Sequence, residues 1–168
     1  MRAVLPAFCL IALALTATAH AKSVVISGPF VDAAGAKRGS ITLKQHGGMV
    51  HGIVRVSGLT PGPHGMHIHS IGQCSGEGFS AAGGHWNPDG KQHGLENPMG
   101  SHRGDLPAIN VGANGKGTAR FMIMASLQDL LDADGSALIV HANADDGKTD
   151  PTGNSGARLL CAVVKTGM

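Results

Sequence analysis

Short alternating apolar runs, each stopped by glycine, asparagine or proline, recur along this chain, and no long helical period does. Side chains alternate faces along a strand, so each run buries one face and must pair with another to do so. Met49 to Leu59 is the cleanest, with Val50, Gly52, Val54 and Val56 on one side. The others are Ser23 to Val31, Ile41 to Lys44, Met66 to His69, Ile109 to Gly112, Thr118 to Met124, Ala137 to Ala142 and Ala157 to Val164. Asn114-Gly115 predicts a type I′ hairpin turn, and Gln128 to Leu131 predicts one helical turn. The chain has 26 Gly but four Phe, one Trp and no Tyr, which favours an aliphatic, turn-rich β fold over helices packed on rings. The expectation is one all-β domain, an antiparallel sandwich or barrel of seven or eight strands. An apolar content of 42% at a net charge of +2 argues against disorder. Thirteen basic against eleven acidic residues, with no Lys/Arg run, give nucleic-acid binding no support.

Residues 1–21 read as an address. Arg2 precedes an apolar run from Val4 to Leu15, and Ala19-His20-Ala21 is a small-x-small pattern that predicts cleavage after Ala21. The run is shorter than the roughly 20 residues of a membrane span, so residues 22–168 form an exported domain with no membrane anchor after cleavage. Two cysteines then remain, Cys74 and Cys161. Export suggests one disulfide between them; two buried thiols are the alternative for a reducing compartment.

Ten histidines are the composition's pointer to chemistry. Two stretches resist strand assignment, Ser70 to about Pro107 and Asn143 to Gly156, and loops of this length are usually functional. His67 and His69 point to one face of a strand, where two imidazoles can chelate a metal. His85, His93, His102 and Asp105 lie in one glycine-rich loop, a donor set able to close a tetrahedral zinc shell. His141 ends an apolar run and gains meaning only as a further ligand beside His67 and His69. His46 and His51 flank Gly47-Gly48 and are expected to face solvent, while His64 is expected to hydrogen-bond locally. All-imidazole coordination suits copper or zinc. The residues thus point to two sites, one His-rich and one with three His and an Asp.

Five motifs together carry a family resemblance: HGMHIH (His64 to His69), GGHWNP (Gly83 to Pro88), His93-Gly94 with HRGDL (His102 to Leu106), HANADD (His141 to Asp146) and GNSGARLLC (Gly153 to Cys161). The chain resembles the copper/zinc superoxide dismutases of the exported bacterial type over nearly all of residues 22–168. That resemblance implies a Greek-key antiparallel β-barrel of eight strands with two long functional loops. It implies copper on His67, His69, His85 and His141, zinc on His85, His93, His102 and Asp105, and His85 as the bridge. It also implies Asp145 joining a ligand of each site, Arg158 over the copper, and a Cys74–Cys161 disulfide. The implied activity is antioxidant: conversion of superoxide to O₂ and H₂O₂ through one-electron cycling of copper, with His85 and Arg158 catalytic, in the periplasm. Met66 replaces a frequent Phe, a packing change. Pro151 stands where animal members carry a lysine, leaving Lys148, Lys91 or no lysine to guide the substrate. The segment between Cys74 and His85 is short for the bacterial type. The missing Tyr removes some interface aromatics, so homodimer assembly stays open.

Three rival readings share parts of this pattern. A copper or zinc carrier would use the same ligands without needing a bridging His or Arg158. A zinc hydrolase needs an open zinc position and a general base, yet Glu77 and Glu96 are the only Glu and neither sits in a helical HExxH motif. A structural protein would use the metal only to staple its loops.

Overall fold

A computed structural model describes residues 25–165. The expected leader with its cleavage site, and Ser23 of the first run, lie outside the described residues. Eight strands follow in chain order: β1 (Val25–Val31), β2 (Lys37–His46), β3 (Met49–Ser57), β4 (Gly62–His69), β5 (Asp105–Val111), β6 (Lys116–Ile123), β7 (Ser136–His141) and β8 (Arg158–Val164). They close a barrel in the order β1-β2-β3-β6-β5-β4-β7-β8, and Val31 of β1 pairs with Cys161 of β8. The β3-to-β4 and β6-to-β7 connections each skip two strands, so the barrel is an antiparallel Greek key.

The barrel interior is mostly aliphatic, with few rings, as the composition predicts. Ile26, Phe30, Ile41, Leu43, Met66 and Ile109 are fully buried in it. Val50, Gly52, Val54 and Val56 of β3 all face inward. Gly52 lies opposite Phe121 of β6. A Cβ at Gly52 would fall 2.1 Å from that ring, so the glycine is the space the ring fills.

Three strands run further than their alternation predicts. β2 starts at Lys37, β4 at Gly62 and β5 at Asp105. In β4 every residue from His64 to His69 is buried, and β7 is buried throughout. One face of each meets the barrel core and the other meets loops, which erases the half-buried alternation. The β5–β6 turn also differs from expectation. Among the described non-glycine residues only Phe79 and Asn154 have positive φ, so Asn114 does not adopt the type I′ geometry. Gly112 instead exchanges hydrogen bonds across a three-residue loop, accepting from Gly115 at 2.9 Å and donating to Lys116 at 3.0 Å, with Gly115 at φ 71°. The expected helical turn is α1 (Leu127–Leu130), closed by a capping box between Ser126 and Asp129.

The first long loop carries a 3-10 helix at Glu77–Ala82. Its Phe79 and Ala82 pack on Ala137, Ile139 and Cys161, forming a second small core outside the barrel. The Cys74–Cys161 disulfide holds this loop to β8. Among the described residues no helix is long and apolar enough to cross a membrane.

Gly52→Ala should lower stability by about 1–3 kcal/mol through overpacking against Phe121. In urea unfolding, the double variant Gly52→Ala/Phe121→Leu should lose less than the sum of its single changes.

Candidate metal centre

The loop-facing side of β4 presents His67 and His69, both buried. β7 pairs with β4 and ends at His141. A single antiparallel bridge to His69 brings in His85 from the first long loop. One ring nitrogen from each of His67, His69, His85 and His141 lies within 4.8 Å of the others. His67, His85, His93 and Asp105 form an adjoining group that meets the same limit.

The outer nitrogen of three of these rings is tied down. His67 Nε2 donates to Asp145 Oδ2 at 2.5 Å, His69 Nδ1 to the Gly83 carbonyl at 2.9 Å, and His141 Nδ1 to the Gly156 carbonyl at 3.1 Å. The inner nitrogens, His67 Nδ1, His69 Nε2, His85 Nε2 and His141 Nε2, are buried with no hydrogen-bond partner. Buried polar atoms are normally satisfied. An outer N–H fixed by carboxylate or carbonyl, with the inner nitrogen bare, is how metal-ligating histidines are held.

The second compartment centres on Asp105. Its Oδ1 lies 3.1, 3.0 and 3.3 Å from the Nδ1 atoms of His85, His93 and His102. His102 Nδ1 is 3.4 Å from His85 Nδ1. A tetrahedral ion with ligand bonds of about 2.0–2.1 Å has ligand-to-ligand edges of about 3.3 Å. Asp105 Oδ1 therefore stands at about such an edge from each of the three sequence-predicted rings, while the group whose donor atoms all lie within 4.8 Å of one another takes His67 in place of His102. Asp105 Oδ2 is occupied separately, accepting the backbone N–H groups of Gly94 at 2.9 Å and His102 at 3.0 Å. His85 turns Nδ1 to this compartment, and its Nε2 is buried without a partner.

Asp145 spans the two compartments. Its Oδ2 meets His67, and its Oδ1 lies 3.1 Å from His93 Nε2 and accepts from the Gly147 N–H at 2.7 Å. Gly153, at φ 62°, passes so close that a Cβ there would fall 2.3 Å from Asp145 Oδ1. Asp150 was not anticipated from sequence. Its carboxylate accepts the His93 backbone N–H at 2.6 Å and lies 3.7 Å from His102 Nε2. Only its place in a loop already rich in Asp could have pointed to it.

Charge follows burial and partners. Burial pushes His69 down to about 2, His141 to about 3 and His85 to about 4. These rings are neutral at physiological pH and offer lone pairs to a cation. Burial opposes charge on His93 too, but Asp105 and Asp145 outweigh it and raise this ring to about 9. Burial likewise opposes ionisation of Asp105 and Asp145. Hydrogen bonds from His85 and His93 to the first, and from His67 and His93 to the second, hold both carboxyls well below the usual range.

Arg158 lies across from His141 in the β7–β8 register. Its guanidinium donates to the Phe79 carbonyl at 2.9 Å and to the Gly83 carbonyl at 2.7 Å, the latter shared with His69. Lys148 is exposed and 3.4 Å from Glu96. Lys91 uses its backbone to bracket Asn87. Neither lysine is anchored toward the histidines as Arg158 is. His64 does more than bond locally: its ring reaches the Thr60 carbonyl at 2.9 Å and also the His141 carbonyl at 2.6 Å, tying β4 to the end of β7. Met66 is fully buried in the core, consistent with a packing role.

A closed Greek-key barrel whose outer loops hold a buried, two-compartment His/Asp metal centre defines a class of two-metal β-barrel proteins. Residues 37–164 match the family described as copper/zinc superoxide dismutase (SODC). The chain belongs to that family, and the donor sets here suit its copper and its zinc. A copper/zinc superoxide dismutase of Caulobacter vibrioides is 40% identical over 156 residues, 86% of this chain and 85% of that protein. A superoxide dismutase-like protein of Bacillus subtilis is 44% identical over 118 residues, 66% of this chain and 60% of its own length. The crystal structure of a SOD-like protein from Bacillus subtilis superposes with a TM-score of 0.79 at 39% identity, covering 83% of this chain and 97% of that one.

The metal-free protein should be most stable near neutral pH. Unfolded His69, His85 and His141 take up protons near 6.5, whereas the folded rings do so only at about 2 to 4. The unfolded state therefore binds more protons in that interval, and stability falls as pH drops below about 6.5. Asp105 and Asp145 add to the loss as they protonate. His93 has the opposite sign: its contribution is complete below 6.5 and disappears as pH rises through about 9. Urea midpoints of the metal-free protein at about pH 5, 7 and 10 should peak at the middle value.

Proposed function

We propose that the chain dismutates superoxide, two superoxide ions and two protons yielding O₂ and H₂O₂. In this reading His67, His69, His85 and His141 hold copper, and His85, His93, His102 and Asp105 hold zinc. The carrying observation is the set of four buried, unpartnered inner nitrogens beside a carboxylate-centred second compartment. Copper, when bound, supplies the one-electron change that the reaction needs and zinc lacks.

The protein's own groups supply the rest. His85 faces both compartments and can hold a proton at Nε2 and return it to the reduced product. Asp145 fixes the rings of His67 and His93 at once. Arg158, clamped by two loop carbonyls beside His69, attracts a small anion and offers it hydrogen bonds. Asp105 and the backbone N–H groups of Gly94 and His102 keep the zinc loop closed around its ligands. The Cys74–Cys161 disulfide suits an oxidising compartment, and with residues 1–21 as a leader the periplasm is the proposed location.

Superoxide decay should be fast with one copper and one zinc per chain and largely lost in His85→Ala. Failure of the fully copper-loaded protein to remove superoxide would place a copper carrier first instead. Arg158→Ala should keep its copper while both the rate constant and its salt sensitivity fall. Asp145→Asn should weaken metal binding about 10–100-fold in chelator competition.

A further inference from the structure

Among the described residues, His46 and His51 lie away from the centre just described, and the surroundings of this pair are not those of ordinary surface residues. On the β2–β3 hairpin, His46 lies directly opposite Met49, and His51 of β3 lies directly opposite Met122 of β6. Alternation places all four on the outward face of the sheet, since Leu43, Val50, Gly52, Phe121 and Ile123 point inward. Side chains directly opposite on paired strands have Cβ atoms about 4.5–5.5 Å apart, within reach of a shared ion. The His46 and His51 rings are 5.9 Å apart at 87°. Ring pairs inside the buried centre are spaced alike, His69–His141 at 5.8 Å and His85–His141 at 6.3 Å. His51 Nε2 is buried without a hydrogen-bond partner, the condition shared by the inner nitrogens of that centre.

The methionines are the second part of the pattern. Met49 is 38% exposed and Met122 63%, large apolar side chains kept in solvent on the same patch as the two rings. Their backbones are held in place. Gln45 donates to the Gly47 and Met49 carbonyls and accepts the Leu127 N–H of α1, bracing the hairpin tip.

We propose that His46, Met49, His51 and Met122 form a second, surface site for copper(I). Two thioethers and two imidazoles are a soft, neutral donor set, which selects copper(I) over cations that need oxygen ligands. The four residues lie on paired strands, so their backbone positions are set before the ion arrives.

The test uses the protein with its buried centre already filled by copper and zinc. Copper(I) is titrated in without oxygen, in competition with bicinchoninate, and the product is studied by copper X-ray absorption. One further copper(I) per chain with sulfur ligands is expected, with zinc content unchanged. The pair Met49→Leu/Met122→Leu should remove the sulfur signal and weaken this binding at least about tenfold. His46→Gln/His51→Gln should weaken it similarly, and both variants should remove superoxide as the parent does. No copper beyond the buried centre, an extra equivalent without sulfur, or one that both variants retain overturns the proposal.

Discussion

Packing four imidazole rings against one another in a dry pocket is unfavourable unless each ring has a use for both nitrogens. At this end of the barrel the outer nitrogens of three rings are spent on Asp145, Gly83 and Gly156, which sets both the tautomer and the aim of the inner ones. The acceptors are not on the strands that carry the rings. They come from the two long loops, so the loops must be in place before the site exists. The four inner nitrogens, buried without hydrogen-bond partners, are the lone pairs that a bound cation would take up.

The loop contacts answer that requirement. Asp145 reaches one ring in each compartment from the second loop, while Asp150 of the same loop takes the His93 N–H of the first. Glycines make these approaches feasible. Gly94 passes so near the Gly147 carbonyl that a side chain there has no room, and Gly153 does the same beside Asp145. The disulfide and the small core under Phe79 hold the remaining part of the first loop, and that part supplies both carbonyls that orient Arg158. The Gly83 carbonyl accepts from His69 and Arg158 together, so one anchor orients both side chains. Chemistry and loop closure are therefore one problem in this protein.

The outward His/Met patch stands apart from this arrangement. It is built on the β2–β3–β6 side of the barrel from neutral, soft groups braced by Gln45, whereas the buried centre is built from rings and carboxylates under loops. Two metal environments of different hardness on one small barrel give the chain a physical basis for handling copper in more than one state.

Much of this was legible in the order of residues. Apolar alternation in Met49 to Leu59, spacing of two in His67 and His69, and a loop with three histidines and an aspartate determine an all-β chain with a metal centre, because side-chain periodicity and donor type are local properties. The motifs HGMHIH and GNSGARLLC extended that to a family and to Arg158. What stayed hidden was decided by contacts between distant segments. β4 and β7 are buried on both faces, so their alternation vanishes, and β5 begins at Asp105 inside what reads as loop. Asn114-Gly115 reads as a type I′ turn, yet the pairing of Gly112 with Lys116 selects a three-residue loop. Asp150 acquires its role only because the second loop folds onto His93, and His64 because Thr60 and His141 bring carbonyls to both sides of its ring. Sequence alone determined which donors are present. The tertiary structure decided which nitrogen of each ring is left bare and toward what it points, because a ring's tautomer and aim depend on acceptors tens of residues away.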